Sequence, residues 1–250
     1  MFFTTSSLLF GLTAAFFFGL SKTGVPGTGI LGVLMMMLAF PGMEKLSSGA
    51  VLPLLIIADV FAVRYYWRFA DWQRIRQLLP SIVAGLFLGA LFMRTIDHAQ
   101  FKLFLAMLVL GLISFEQLRR WRNWNTFPKS RWFARTMGTL TGFTTLVGNA
   151  AGPVMTIYCA AQNFNKHDFM GTFAVLFFIV NVTKLPLMGG VVPGLNMITT
   201  ETLLFDLYML PGLLVGVFLG RQLFKIVPER YFVPCILILN LLVPLQILLF

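Results

Sequence analysis

Two short segments rich in glycine and proline contain the residues best suited to bind an anion. Gly24-Val25-Pro26-Gly27 interrupts the first apolar stretch, and Asn149-Ala150-Ala151-Gly152-Pro153 interrupts a later one. Pro26 and Pro153 should each end one helix and open the next. A helix N-terminus carries free amide donors and about half a positive charge. Two such ends that converge would therefore form an anion site.

Two lysines, an aspartate and an asparagine are candidates to complete this site. Lys22 is the only charged residue in the first interrupted stretch, and Lys184 lies one helical turn after Asn181 on the same face. An ionisable side chain in a long apolar segment usually faces a cavity or a partner. Either lysine could attract an anion or pair with Asp59, although Lys184 could instead extend to lipid headgroups. Asp59 is also a candidate proton carrier, since a carboxylate removed from water takes up a proton more readily.

The neighbours of the two interruptions are candidates as well. Glycine allows the backbone to approach a ligand closely, and the side chains of Thr28 and Asn149 could add hydrogen bonds. The alternative is that these small residues only let helices pack closely. The predicted binding residues are Lys22, Gly24, Pro26, Gly27, Thr28, Gly29, Asn149, Ala150, Ala151, Gly152, Pro153, Asn181 and Lys184.

Composition places these residues in a membrane protein. The 250-residue chain is 58% hydrophobic and only 11% charged, whereas a soluble domain carries about 25% charged residues. The net charge of +10 comes from arginines in short loops, a pattern that sets membrane topology and argues against nucleic-acid binding. Cys159 and Cys235 lack metal-ligand spacing. We therefore expect the chain to lie in a lipid bilayer. We expect it to bind neither a metal ion nor a cofactor.

The chain repeats part of its own pattern. Pro80, Gly85 and Gly89 recur as Pro211, Gly216 and Gly220 at constant spacing. Upstream, Gly49 matches Gly171, and the same register places Asp59 opposite Asn181. Paired interruptions at corresponding positions of two halves are typical of a transporter binding site. We therefore expect residues 1–118 to form a first transmembrane repeat, residues 119–130 a basic cytoplasmic connector, and residues 131–250 a second repeat.

The basic loops indicate how the interrupted segments cross the membrane. Residues 64–76, 119–135 and 221–230 are rich in arginine and lysine, whereas residues 185–200 contain neither. If residues 136–162 crossed once, the basic loop 221–230 would be external, against the positive-inside rule. We predict an all-α integral membrane protein of two inverted repeats, each a re-entrant helical hairpin plus three transmembrane helices. The alternative is eight simple spans with both termini inside.

Five motifs also resemble those of a known family. Residues 19–29 read GLSKTGVPGTG, and the later motifs read GFTT, NAAGP, KHDFMGT and NVTK at residues 142–145, 149–153, 166–172 and 181–184. Together they resemble the signatures of the sulfite exporter TauE/SafE family of membrane permeases. The resemblance implies a multi-pass transporter of the bacterial-type plasma membrane that moves sulfite or an organosulfonate, often outward. The signature positions carried over are Lys22, Gly24, Pro26, Gly27, Asn149, Gly152, Pro153, Asn181 and Lys184.

The residues and the resemblance together predict a secondary transporter of a small anion that works by alternating access around the two interruptions, with proton coupling as an added hypothesis. A passive anion channel would share the same site. A membrane-embedded enzyme is disfavoured because Asp59 has no carboxylate or histidine partner within a helical turn. An assembly scaffold is the last alternative and would tolerate the loss of the interrupted segments. The sequence sets neither the anion nor the oligomeric state.

Overall fold

The fold is helical throughout the part of the chain described by the computed structural model, residues 4–121, 130–162, 164–226 and 228. The all-α prediction is confirmed there. The predicted span at 231–250 and connector residues 122–129 lie outside the described residues, so the repeat boundaries stay predictions. The described helices are α1 (Thr5–Thr23), α2 (Gly29–Ala39), α3 (Glu44–Ala50), α4 (Leu52–Tyr66), α5 (Trp72–Thr95), α6 (His98–Trp121), α7 (Arg131–Gly148), α8 (Gly152–Ala161), α9 (Lys166–Met188) and α10 (Thr200–Ile226).

Several helices have the length and composition of membrane spans. A span of about 20 apolar residues crosses the roughly 30 Å hydrocarbon core. Among the described residues four helical segments meet this requirement, with mean hydropathies between 1.7 and 2.1. The first joins most of α3 to α4 and a short 3-10 turn at Trp67–Phe69. These four segments are Lys45–Phe69, Trp72–Thr95, Lys166–Met188 and Thr200–Ile226.

The first interruption folds α1 and α2 into a helical hairpin. Gly27 has a φ of 105°, a conformation that favours glycine, and it reverses the chain between the helices. Gly29 lies beside Ser21, and Gly32 lies beside Phe18, so α2 runs back along α1. The prediction that Pro26 opens the second helix is wrong. Pro26 lies within the turn, and α2 begins only at Gly29 because the positive φ of Gly27 comes first.

The second interruption forms a similar hairpin, but an asparagine and not a glycine adopts the positive φ at its turn. Asn149 has a φ of 52°, the left-handed conformation that commonly ends a helix, and its amide bonds back to the carbonyls of α7. α8 then begins at Gly152 with Pro153 in its first turn, as predicted. The rings of Phe133 and Tyr158 stack at 6.3 Å, which shows that α8 returns along α7.

Glycines bring each hairpin against a helix from the other half of the chain. A Cβ added at Gly216 would clash with the Phe16 carbonyl, and one at Gly85 would clash with the Thr139 carbonyl. α1 therefore packs closely along α10, and α7 packs along α5, each pair running parallel. The matched glycines of the sequence repeat thus perform the same packing role in both halves.

The helix directions show that the two hairpins enter the bundle from opposite ends. α4 runs antiparallel to α9, because Asp59 contacts Asn181 while Gly171 lies beside Tyr66 and Phe69. α5 reverses α4, and α10 reverses α9, so α1 and α7 point in opposite directions. This arrangement agrees with two hairpins better than with eight simple spans. Inverted symmetry of the complete halves stays a prediction, because the last predicted span lies outside the described residues.

Candidate functional site

The ends of the two hairpins meet around one small cavity, which we call the tip cavity. Its volume is about 40 Å³, and its walls come from α1, α2, α4, α7, α8 and α9. The first residues of α2 and α8 both line it, so the predicted meeting of two helix N-termini is present in the geometry. The lining residues are Phe18, Ser21, Lys22, Gly27, Gly29, Ile30, Leu55, Thr145, Asn149, Gly152, Pro153, Phe173, Phe177 and Asn181.

An ion pair joins the first hairpin to α4. The Nζ atom of Lys22 lies 2.7 Å from Oδ1 of Asp59, and the Asp59 side chain is fully buried. The other carboxylate oxygen of Asp59 accepts a hydrogen bond of 2.6 Å from Nδ2 of Asn181. Lys22 also lies 4.8 Å from the centre of the Phe177 ring, at the distance of a cation–π contact. The structure thus pairs Lys22 with Asp59 and leaves it at the cavity wall.

Lys184 lies behind the cavity and holds the second hairpin. Its side chain is fully buried, so the alternative in which it extends to lipid headgroups is wrong. Nζ of Lys184 donates to Oδ1 of Asn149 at 2.5 Å and to Oδ1 of Asn181 at 3.3 Å. Nδ2 of Asn149 donates in turn to the Ser48 carbonyl at 2.9 Å, which orients the amide. A continuous polar network therefore runs from Lys22 through Asp59, Asn181 and Lys184 to Asn149.

This network carries one excess positive charge when all its groups are ionised. Lys22 and Lys184 contribute two positive charges, and Asp59 contributes one negative charge. Among the described residues, Asp59 is the only carboxylate that forms an ion pair with either lysine. A buried charge without a counterion is strongly unfavourable. An anion in the tip cavity would supply the missing negative charge.

Gly152 marks where a ligand could enter this environment. A Cβ added at Gly152 would meet no atom within 4 Å, so the start of α8 faces open space. Gly29, at the start of α2, is more enclosed, because a Cβ there would lie 3.0 Å from Oγ of Ser21. Two helix starts and Lys22 consequently surround the same small volume, with Lys184 behind it.

Some predicted site residues have structural positions instead. Gly24 packs against Gly220, where a Cβ would clash with the backbone of α10. The hydroxyl of Thr28 donates to the Val25 carbonyl at 3.0 Å and so stabilises the hairpin turn. Pro26, Ala150 and Ala151 are buried in the turns and do not line the tip cavity.

Sequence reasoning missed the aromatic wall of the cavity. Phe169, Phe173 and Phe177 form a ladder along α9, with ring centres 5.4 Å and 4.4 Å apart. Their spacing of four residues places them on one helix face, and this was the signal available in the sequence. Phe173 and Phe177 line the cavity together with Phe18 of α1 and Leu55 of α4.

Comparison with known proteins identifies the family of the chain. Within the described residues, no group of three or more histidine, cysteine, aspartate or glutamate side chains could hold a metal ion. No curated protein and no solved structure matches the chain. A family model described as sulfite exporter TauE/SafE matches residues 7–247, nearly the whole sequence. The chain is therefore a membrane transporter that belongs to the sulfite exporter TauE/SafE family.

Proposed function

We propose that this chain is a secondary transporter that exports sulfite, or an oxyanion of similar size, across a bacterial-type plasma membrane. The observation that carries the proposal is the placement of two lysines and a single carboxylate at a cavity formed by two hairpins from opposite ends of the bundle. Lys22 contacts the anion directly, and Lys184 acts on it through its charge. The starts of α2 and α8 contribute further positive potential.

The size of the tip cavity supports a compact substrate. A volume of about 40 Å³ holds roughly three water molecules, since one needs about 10–15 Å³ by this measure. An oxyanion with three oxygens around one sulfur has similar dimensions. A longer organosulfonate would require the hairpins to separate further before it could bind.

We expect proton coupling because Lys22 would lie between the anion and Asp59. When an anion takes Lys22 as its partner, Asp59 loses its ion pair and a proton can replace the lysine. Anion and proton would then bind together. We expect efflux to be faster from vesicles with an acidic interior than from vesicles without a pH gradient, after subtraction of the leak measured in protein-free vesicles.

Sulfite efflux from proteoliposomes tests the proposal. The wild type should show saturable flux, Lys22→Ala should lose at least nine-tenths of it, and Lys225→Ala should retain it because Lys225 is exposed at the end of α10. Flux that rises linearly with concentration and ignores the pH gradient would indicate a passive channel. The absence of wild-type flux would exclude sulfite, whereas equal flux in both lysine variants would remove Lys22 from the mechanism.

A further inference from the structure

A second polar site lies on the outside of the bundle, at the end of α4. We call it the arginine groove. It has a volume of about 590 Å³, and Arg64, Arg68 and Arg221 line it together with four aromatic residues. Arg64 belongs to α4, Arg68 to the turn that follows, and Arg221 to α10. Two basic segments that are far apart in sequence therefore lie at the same end of the bundle.

Two of the three arginines lie against aromatic rings. The guanidinium carbon of Arg221 lies 4.1 Å from the centre of the Tyr65 ring, and that of Arg68 lies 5.7 Å from the Trp67 ring. None of the three forms an ion pair with a carboxylate among the described residues. A guanidinium that stacks on a ring through its face keeps its N–H groups free at its edge. The groove therefore presents three positive charges and their donors to an external anion.

The groove is separate from the tip cavity. Asp59 and Tyr66 lie on the buried face of α4, whereas Arg64 and Arg68 are exposed. The Tyr66 hydroxyl donates to the Thr23 carbonyl at 2.7 Å. This hydrogen bond joins the end of α4 to the end of α1, between the arginine groove and the tip cavity. An anion bound by the arginines would thus contact the surroundings of the protein and not the transport site.

The groove lies at the end of an apolar span, and this position indicates which part of the membrane would surround it. The span Lys45–Phe69 ends here, and Trp67 and Phe69 are 48% and 44% exposed. Exposed tryptophans at the end of an apolar span mark the membrane–water interface, and a basic end of a span is typically cytoplasmic. We propose that the arginine groove binds the phosphate of an anionic phospholipid of the inner leaflet, with the aromatic residues against its glycerol and upper acyl chains.

Native mass spectrometry of lipid adducts tests this proposal. The purified protein is placed in mixed micelles with equal amounts of phosphatidylglycerol and phosphatidylcholine. The wild type should retain phosphatidylglycerol preferentially, and the triple variant Arg64→Gln/Arg68→Gln/Arg221→Gln should lose that preference. A basic residue near an anionic membrane changes binding by about fivefold, so three correspond to roughly 100-fold. We expect a loss of at least tenfold.

A matched control removes the same charge elsewhere at the same end of the bundle. Arg76, Arg131 and Arg135 are exposed and lie outside the groove, so their triple replacement by Gln should keep the preference. As a second readout, added phosphatidylglycerol should raise the unfolding temperature of the wild type and the control but not of the groove variant.

Four results would overturn the proposal. Equal retention of phosphatidylglycerol by wild type and groove variant would show that the groove does not bind it. Equal loss in both triple variants would show a general charge effect. Competition by inorganic phosphate as strong as that by the lipid would identify a soluble anion as the ligand. A dimer that disappears in the groove variant would identify a second copy of the chain as the occupant.

Discussion

The ion pair between Lys22 and Asp59 allows a quantitative test of the charge argument. Replacing Asp59 by Asn removes one negative charge while an amide stays available to Asn181. The remaining network then holds two buried lysines without a counterion. Breaking a buried pair by removing one partner costs about 3–5 kcal/mol, because the other charge stays in a poorly solvated site. We expect Asp59→Asn to lower the free energy of unfolding by about this amount.

Removing both charges should restore much of that loss. In the double variant Lys22→Met/Asp59→Asn neither member of the pair remains charged, so the coupling energy between the two substitutions should reach about 2–3 kcal/mol. The partly exposed pair Arg74–Asp71 offers a comparison, since its side chains are 31% and 33% exposed. Its coupling energy should stay below about 1 kcal/mol.

The assay is denaturant unfolding of the purified protein in detergent, with and without sulfite at constant ionic strength. In Asp59→Asn, Lys22 is free to bind the anion, so sulfite should stabilise this variant more than the wild type. It should stabilise the double variant less than Asp59→Asn, because only Lys184 and the two helix starts then remain to attract the anion. The reasoning would be refuted if the buried pair coupled no more strongly than the exposed one, or if sulfite stabilised the double variant as much as Asp59→Asn.

Three further substitutions test separate parts of the structure. Gly216→Ala should lower the unfolding temperature because its Cβ clashes with α1, whereas Gly111→Ala, where a Cβ meets no atom within 4 Å, should leave it unchanged or slightly raised. Gly152→Ala should fold normally, since its Cβ meets no atom, yet reduce the maximal sulfite flux by filling the tip cavity. Asn149→Gly and Asn149→Ala should both destabilise the chain by removing an acceptor of Lys184. The alanine variant should lose about 1 kcal/mol more in unfolding free energy, because the φ of 52° suits glycine.

The hairpins could be predicted from sequence because their causes are local. Glycine and asparagine permit a left-handed backbone and proline restricts φ at its own position, so the ends of α1 and α7 follow from a few residues. The detail at Pro26 could not be predicted in this way. Whether proline opens a helix or lies in the preceding turn depends on the next residue, and here Gly27 adopts a positive φ.

The residues of the polar network could be predicted from the sequence, but the hydrogen bonds and ion pair between them could not. The repeat register placed Asp59 opposite Asn181, and helical spacing placed Lys184 beside Asn181. The partner of each lysine depended on the depth of the hairpins, which only tertiary packing sets. The same packing decided that Gly24 faces α10 and not a ligand, because a close helix contact and a ligand contact require glycine for the same reason.

The network also gives the opening of each hairpin an energetic cost. Lys22 belongs to the first hairpin and Asn149 to the second, and both bond to side chains of the central pair α4 and α9. If one hairpin withdraws, Asp59 or Lys184 loses a buried partner, and that loss must be replaced by anion, proton or water. Withdrawal of both hairpins would expose both groups at once and cost both interactions. A state with one hairpin open is therefore favoured over a state with both open, which is the physical requirement of alternating access.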